Sequence, residues 1–178
     1  MPSPVTHVTG FLYGLLMPFA FGIRAVLMER WDAARALGII DREGISFTSS
    51  ATPFLRELLD AARAAGSEMR SLRVFACGGA PVPPELIERA WRHFPELLAC
   101  RVYGSTEAPT VSLGVASRKD LRAAAGTEGA IVGHDVRIVD DEGNVVAGDG
   151  EIVTRGPELM MGYLDPDDDR AAYDGEGY

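Results

Sequence analysis

Between Ile45 and Tyr103 the chain alternates short apolar runs with amphipathic stretches, and few folds accommodate that rhythm. Ile45-Ser46-Phe47-Thr48, Arg73-Val74-Phe75-Ala76-Cys77 and Leu98 to Tyr103 read as strands. Between them, Thr52-Pro53 opens a helix as a cap followed by proline at the first helical position. Its apolar face is Leu55, Leu58, Leu59 and Ala62, and Gly66 ends it. Pro84 starts another helix, with Leu86, Ile87, Ala90, Trp91 and Phe94 on one face. Upstream, Asp32 caps a helix running to about Glu43, with Gly44 as its stop. Strands joined through helices pair in parallel, so the fold class is α/β, a mostly parallel sheet flanked by helices. Such sheets bind ligands beyond the carboxyl ends of their strands. Two of those ends carry unusual residues, Gly78-Gly79-Ala80 and Gly104-Ser105-Thr106-Glu107.

The remaining segments are placed around that pattern. Val8 to Phe19 reads as a helix that is hydrophobic all round, hence buried, ended by Pro18 and Gly22. Ala25-Val26-Leu27-Met28 reads as a short inner strand, and Val111-Ser112-Leu113 as a fifth. After about Ser117 the pattern changes. Arg118 to Gly126 is a basic, alanine-rich connection. Short β-like runs follow at Ala130–Val132, Val136–Val139, Asn144–Val146 and Glu151–Thr154, with Asp140-Asp141-Glu142-Gly143 as a turn. The organisation is therefore an α/β subdomain over residues 1–116 and a β-rich, small antiparallel subdomain over residues 117–178. Asp165 to Asp169 opens a short helix, where acids suit the N-terminal dipole.

The charge balance removes whole classes of function. A net charge of −9 disfavours broad nucleic-acid or anionic-membrane binding, since both require a basic face. An anionic nucleotide remains compatible, because local donors and Mg²⁺ outweigh a negative average. The uncharged run Val8 to Ile23 is short for a membrane span and is broken by Gly10, Gly14, Pro18 and Gly22. Met1 to Thr6 lacks the basic region of a secretory signal. Cys77 and Cys100 each follow an apolar run and read as buried, reduced thiols, which fits a cytoplasmic setting.

Tyr103-Gly104-Ser105-Thr106-Glu107 concentrates chemistry at one strand end. An aromatic face stacks on a base, hydroxyls bind phosphate oxygens, and a carboxylate holds Mg²⁺. A polar loop whose Tyr103 fills a gap in the core would show the same residues. The paired glycines Gly78-Gly79 let backbone lie close to a flat ligand, and an ordinary strand-to-helix turn would use them equally well. Glu107 stands where a serine-hydrolase elbow needs its second glycine, and neither a Walker loop nor a dinucleotide fingerprint occurs. His93 and His134 have no acidic or nucleophilic partner at a telling spacing.

In combination and order, these residues resemble the adenylate-forming superfamily, which contains acyl-CoA synthetases, luciferases and peptide-synthetase adenylation domains. The resemblance rests on Pro4 to Gly10 with its His7, on Arg42 to Phe47, on Gly78-Gly79-Ala80-Pro81-Val82 and on Tyr103 to Glu107. Gly150 to Pro157, followed by Met161-Gly162-Tyr163, resembles the segment leading to the ribose site. The resemblance implies a two-step reaction. A carboxylate attacks the α-phosphate of ATP to give an acyl-adenylate and pyrophosphate, and CoA then displaces AMP. It implies that Tyr103 stacks on adenine, Thr106 contacts phosphate and Glu107 helps bind Mg²⁺. Gly78, Gly79 and Ala80 would line the adenine and acyl sites, with Gly104 and Ser105 completing the nucleotide-binding motif. His7 would border the acyl pocket, with Gly10 and Gly14 leaving space along its helix. Ser105 favours acyl-CoA synthetases over amino-acid-activating domains, which usually place proline there. The uncharged first helix offers no aspartate for an amino group, so an apolar carboxylic acid is the expected substrate.

The chain also departs from the family pattern. A phosphate loop upstream of His7, a Thr-Gly-Asp ribose clamp, a hinge and a C-terminal domain with a catalytic lysine are not in this sequence. A proline-rich turn expected around Gly129 to His134 is missing. The expectation is a central piece of a longer ligase, inactive on its own because an incomplete site positions substrates poorly. The alternative is a non-catalytic nucleotide-binding or interaction module with the same fold.

Overall fold

A computed structural model describes residues 1–115 and 117–178. They form two compact units, one of Met1–Tyr103 with Ser112–Ala130, the other of Gly104–Val111 with Ile131–Tyr178. The described residues on both sides of the division expected between residues 116 and 117 belong to the first unit.

The first unit contains the expected parallel sheet. Strands β1 (Phe47–Ser50), β2 (Val74–Cys77) and β3 (Leu98–Arg101) lie in the order β1-β2-β3, with every pair parallel. The register sets Ser50 beside Cys77 and Cys77 beside Arg101, so all three strands end at one level. Helices α4 (Thr52–Ala65) and α5 (Pro84–His93) provide the crossovers that parallel strands require. Before the sheet lie α1 (Val8–Phe11), α2 (Met17–Phe21) and α3 (Ala33–Glu43).

The helix boundaries follow from local chemistry. The Asp32 carboxylate accepts the Arg35 amide at 2.7 Å and starts α3. Gly44 and Gly66 adopt the left-handed conformation that closes α3 and α4. Thr52 is not the cap of α4; Ala51 is, and Thr52 stands inside the helix. Its hydroxyl donates to the Pro81 carbonyl at 3.0 Å, which ties the loop after β2 to the start of α4. The core comprises the apolar faces read from the sequence. Leu55, Leu58 and Leu59 of α4 and Ile87 of α5 are wholly buried, with Phe75 and Ala99 from the sheet. Each such aliphatic side chain contributes about 1.5–3 kcal/mol by leaving water. An exposed pair such as Arg89–Asp60, at 2.7 Å, contributes about 0–1 kcal/mol, so packing dominates.

Several expectations need correction. The helical run from Val8 extends through Pro18 to Phe21, passing through one wide π-helical stretch, Leu12–Leu16. Proline has no N–H to donate backwards, and a widened turn accommodates its ring. The run is not buried: Phe19 is 82% and Phe21 74% exposed. Ala25–Met28 forms no strand. Val111–Leu113 likewise forms no strand element; only isolated bridges occur there, at Ser112 and, parallel with Gly129, at Gly114. Within the basic connection, Asp120 caps a further helix, α6 (Leu121–Gly126), which buries Ala124 and Ala125. Arg118 lies over the Trp91 ring at 4.9 Å and donates to the Trp91 carbonyl at 2.7 Å. A cation there suits the C-terminal end of α5.

The second unit holds an antiparallel pair, β4 (Asp135–Val139) and β5 (Glu151–Arg155), and the short helix α7 (Pro166–Ala172). Asp140 organises the turn after β4 by accepting the amides of Glu142 at 3.1 Å and Asn144 at 2.8 Å. The Asp165 carboxylate accepts the Asp167 amide at 2.9 Å and caps α7, as the acidic run implies. Among the described residues no helix is long and apolar enough to cross a membrane.

Candidate functional site

The level strand ends of the first unit create a continuous edge. The ladder continues one step past the strands: the Gly78 amide donates to Ser50 at 3.3 Å, and the Val102 amide to Cys77 at 2.9 Å. Gly78 is required by this packing. A Cβ there would stand 2.5 Å from the Val102 carbonyl oxygen, closer than real contacts allow. Gly79 differs, with φ 73° and no atom within 4 Å of its missing Cβ. Gly79 and Ala80 are exposed. The root of this loop is packed and its tip is open.

Tyr103 follows β3 at the same edge, and the residue is 40% exposed. Its backbone is fixed by a residue the sequence reading missed. The buried Ser112 hydroxyl accepts the Tyr103 amide at 2.9 Å and donates to the Glu128 carbonyl at 2.7 Å. The Ser112 amide donates back to the Tyr103 carbonyl at 3.0 Å. A serine between Val111 and Leu113 was the available signal. Arg101 is occupied: it pairs with Glu128 and donates to the Ala125 carbonyl at 2.8 Å.

Gly104 to Glu107 belongs to the second unit. The Ser105 amide donates to the Ala108 carbonyl at 2.9 Å, and the Ala108 amide to the Ser105 hydroxyl at 3.1 Å. This reciprocal pair closes a tight turn that leaves Ser105 and Thr106 exposed. Glu107 is half-buried and doubly held. Its carbonyl accepts the Met160 amide at 2.8 Å, and its carboxylate accepts the Tyr163 hydroxyl at 2.8 Å.

The Tyr163 hydroxyl is the main reason the Glu107 carboxyl titrates below its ordinary 4.5, with its own amide and the Ser105 hydroxyl adding to the effect. Hydrogen bonds to a carboxylate favour its charged form. The depressed value favours the folded state above the unfolded pKa, and that contribution is lost as pH falls through the folded one. A ¹³C NMR titration of the Glu107 carboxyl should give a midpoint below 4.5, and Tyr163→Phe should move it upward. A midpoint at or above 4.5 in the unsubstituted chain would show that the bond is not kept in solution.

His7, Gly10 and Gly14 lie at the start of the chain, in the first unit. His7 is the exposed cap of α1, its Nδ1 accepting the Thr9 amide at 3.2 Å. Gly10 and Gly14 do not open onto free space. A Cβ on Gly10 would stand 2.0 Å from the Pro4 carbonyl oxygen, and one on Gly14 would meet Met1 and Leu27 side chains at 3.1 and 3.2 Å. Both glycines serve close packing by the chain itself. Cys77 and Cys100 are buried and free, and burial pushes both thiols up to about 11, so neither offers a thiolate near neutral pH.

The structure therefore gathers Gly78, Gly79, Ala80 and Tyr103 at one edge of the first unit, and Gly104 to Glu107 with Tyr163 in the second. Residues 1–164 match the family model described as AMP-binding enzyme. The chain belongs to that family. A curated relative of this AMP-binding family member is the medium-chain fatty-acid–CoA ligase of Escherichia coli (strain K12). It is 33% identical over 182 residues, a match covering 100% of this chain and 32% of the relative. Among solved structures, the N-terminal domain of FACL13 from Mycobacterium tuberculosis superimposes with a TM-score of 0.83 at 26% identity. That match covers 98% of this chain and 44% of the other. The o-succinylbenzoate CoA synthetase of Bacillus subtilis, solved with an acyl-adenylate intermediate, gives a TM-score of 0.81 at 25% identity. It covers 98% of this chain and 35% of that one. The chain thus spans about a third of the length of the curated relative it matches.

The donor set suits Mg²⁺ brought with a nucleotide. Mg²⁺ is commonly held by one or two carboxylates together with substrate phosphates rather than by an all-protein cage. Among the described residues no group of three or more His, Cys, Asp or Glu side chains is placed to hold a metal. Glu107 offers one fixed carboxylate, with the exposed Thr106 beside it in the chain.

Proposed function

We propose that the protein carrying this chain is an ATP-dependent acyl-CoA synthetase acting on an apolar carboxylic acid. The observation that carries the reading is the pre-set Glu107 carboxylate at the end of Tyr103-Gly104-Ser105-Thr106, in a chain of the AMP-binding enzyme family. The named activity of the Escherichia coli relative supports a fatty acid as the substrate class, and the acyl-adenylate in the Bacillus subtilis enzyme supports the intermediate.

In this reading a carboxylate oxygen of the acid bonds to the α-phosphorus of ATP, and the bond from that phosphorus to the pyrophosphate oxygen breaks. The thiol of CoA then attacks the acyl carbonyl, loses its proton, and AMP leaves. Tyr103 presents a ring face to adenine, beside the open tip at Gly79 and Ala80. Gly78 holds the root of that loop, and Gly104 and Ser105 shape the turn that presents the next two residues. Thr106 donates its hydroxyl to a phosphate oxygen, and Glu107 holds Mg²⁺. When bound, Mg²⁺ balances charge on the phosphates. His7 borders the acyl pocket, with Gly10 and Gly14 packing the segment behind it. The setting is cytoplasmic, which suits two buried, reduced thiols.

The test uses the complete protein, supplied with ATP, Mg²⁺ and fatty acids of graded chain length. Acid-dependent pyrophosphate release, followed by AMP and acyl-CoA formation once CoA is added, is expected, with medium-chain acids among the substrates. Nucleotide binding without acid-dependent pyrophosphate release would replace this reading with a non-catalytic binding module.

A further inference from the structure

Glu107 is held by a segment far from it in sequence. Its carbonyl accepts the Met160 amide at 2.8 Å, and its carboxylate Oε1 accepts the Tyr163 hydroxyl at 2.8 Å, across 56 residues of chain. All of these residues lie within the second unit. The holding segment is itself pinned. The Tyr163 amide donates to the Asp169 carboxylate at 2.6 Å, and the Tyr173 hydroxyl donates to the Met160 carbonyl at 2.9 Å. Gly162 sits at φ 137°, where a Cβ would stand 2.8 Å from the Asp169 carboxylate, so the segment can turn there only without a side chain.

We propose that Tyr163 is a positioning residue, a clamp that fixes the Glu107 carboxylate in one orientation before Mg²⁺ and the nucleotide arrive. The inference rests on the proposed role of Glu107 in binding Mg²⁺. A glutamate side chain on a surface turn ordinarily samples several rotamers and pays their entropy when it binds a cation. A hydroxyl donating to one carboxylate oxygen removes that freedom beforehand. It occupies only one of the roughly four lone-pair directions a carboxylate offers. Tyr163 is 40% exposed and fills no core, so its hydroxyl can be removed alone.

The experiment compares Tyr163→Phe and Glu107→Gln with the unsubstituted complete protein, following pyrophosphate release against free Mg²⁺ at saturating ATP and acid. Tyr163→Phe is expected to raise the half-saturating Mg²⁺ concentration about tenfold, the low end of what losing a group that orients a metal-binding side chain costs. Its kcat at saturating Mg²⁺ should stay within about twofold and its melting temperature should fall only slightly, because one exposed hydrogen bond is lost while the phenyl ring keeps its packing. An unshifted Mg²⁺ dependence in Tyr163→Phe, alongside a severe loss in Glu107→Gln, overturns the clamp while leaving the assignment of Glu107 standing. A fall in kcat at every Mg²⁺ concentration, with a melting temperature lowered by much more than the loss of one exposed hydrogen bond accounts for, overturns it in favour of a merely structural tyrosine. A Glu107→Gln protein with full activity overturns the assignment of Glu107 itself.

Discussion

Glu107→Gln in the complete protein is expected to slow acid-dependent pyrophosphate release roughly 100-fold or more, the scale on which one preorganised electrostatic group acts. The substitution is nearly isosteric. A glutamine carbonyl can still accept the Tyr163 hydroxyl that Glu107 accepts at 2.8 Å, so the turn keeps its anchor and only the charge is removed. Stability should scarcely change, since a substitution at a half-exposed turn usually stays within about 0.5 kcal/mol. The combination of an intact melting temperature and a collapsed rate separates a chemical role from a structural one. Raising Mg²⁺ should recover part of the rate if the carboxylate acts by holding the cation. A Glu107→Gln protein that releases pyrophosphate within about threefold of the unsubstituted rate, a difference of well under 1 kcal/mol, would remove Glu107 from the reaction.

The parallel sheet was legible because its signals are local. Leu55, Leu58, Leu59 and Ala62 recur at helical spacing, and Asp32, Gly44, Gly66 and Pro84 mark helix ends through their own backbone chemistry. The turn Tyr103 to Glu107 was legible for the same reason, being one contiguous stretch. What escaped is tertiary. Ser112 supports Tyr103, and Tyr163 holds Glu107, through contacts that no spacing announces. The apolar stretch from Val8 to Phe21 shows another limit of pattern reading. Apolar composition states a preference for cover but does not supply a covering surface, and Phe19 and Phe21 are largely exposed. Ala25–Met28 has strand-like composition yet gains no partner strand, which β structure requires and composition cannot provide. Gly10 and Gly14 suggested room for an acyl chain, and their space is taken by Pro4, Met1 and Leu27.

Gly104→Ala should be the most damaging small substitution at the turn, and Gly79→Ala is its natural comparison. A Cβ on Gly104 would stand 2.1 Å from the Pro109 carbonyl oxygen, 2.6 Å from its carbon and 3.0 Å from the Ala108 oxygen. All three are backbone atoms, so no rotamer change relieves the clash and the turn must open. Opening it sacrifices the reciprocal bonds between Ser105 and Ala108, at 2.9 and 3.1 Å, each worth about 0.5–1.5 kcal/mol. Overpacking adds about 1–3 kcal/mol. The consequence for activity exceeds the consequence for stability, because Glu107 is carried on the same turn and a displacement of about 1 Å can cost about 100-fold in rate. Gly79→Ala meets no atom within 4 Å and carries only the strain of a left-handed backbone at φ 73°, about 1–2 kcal/mol. The expected order is therefore a loss of roughly 100-fold for Gly104→Ala that added Mg²⁺ does not restore, since geometry rather than affinity is lost. Gly79→Ala should lose less, at most the roughly 5- to 30-fold equivalent of its strain. Hydrogen exchange at the Ser105 and Ala108 amides should accelerate in Gly104→Ala alone. Equal rates and equal protection in the two variants would mean that the close approach of Gly104 to Pro109 is not what holds the turn.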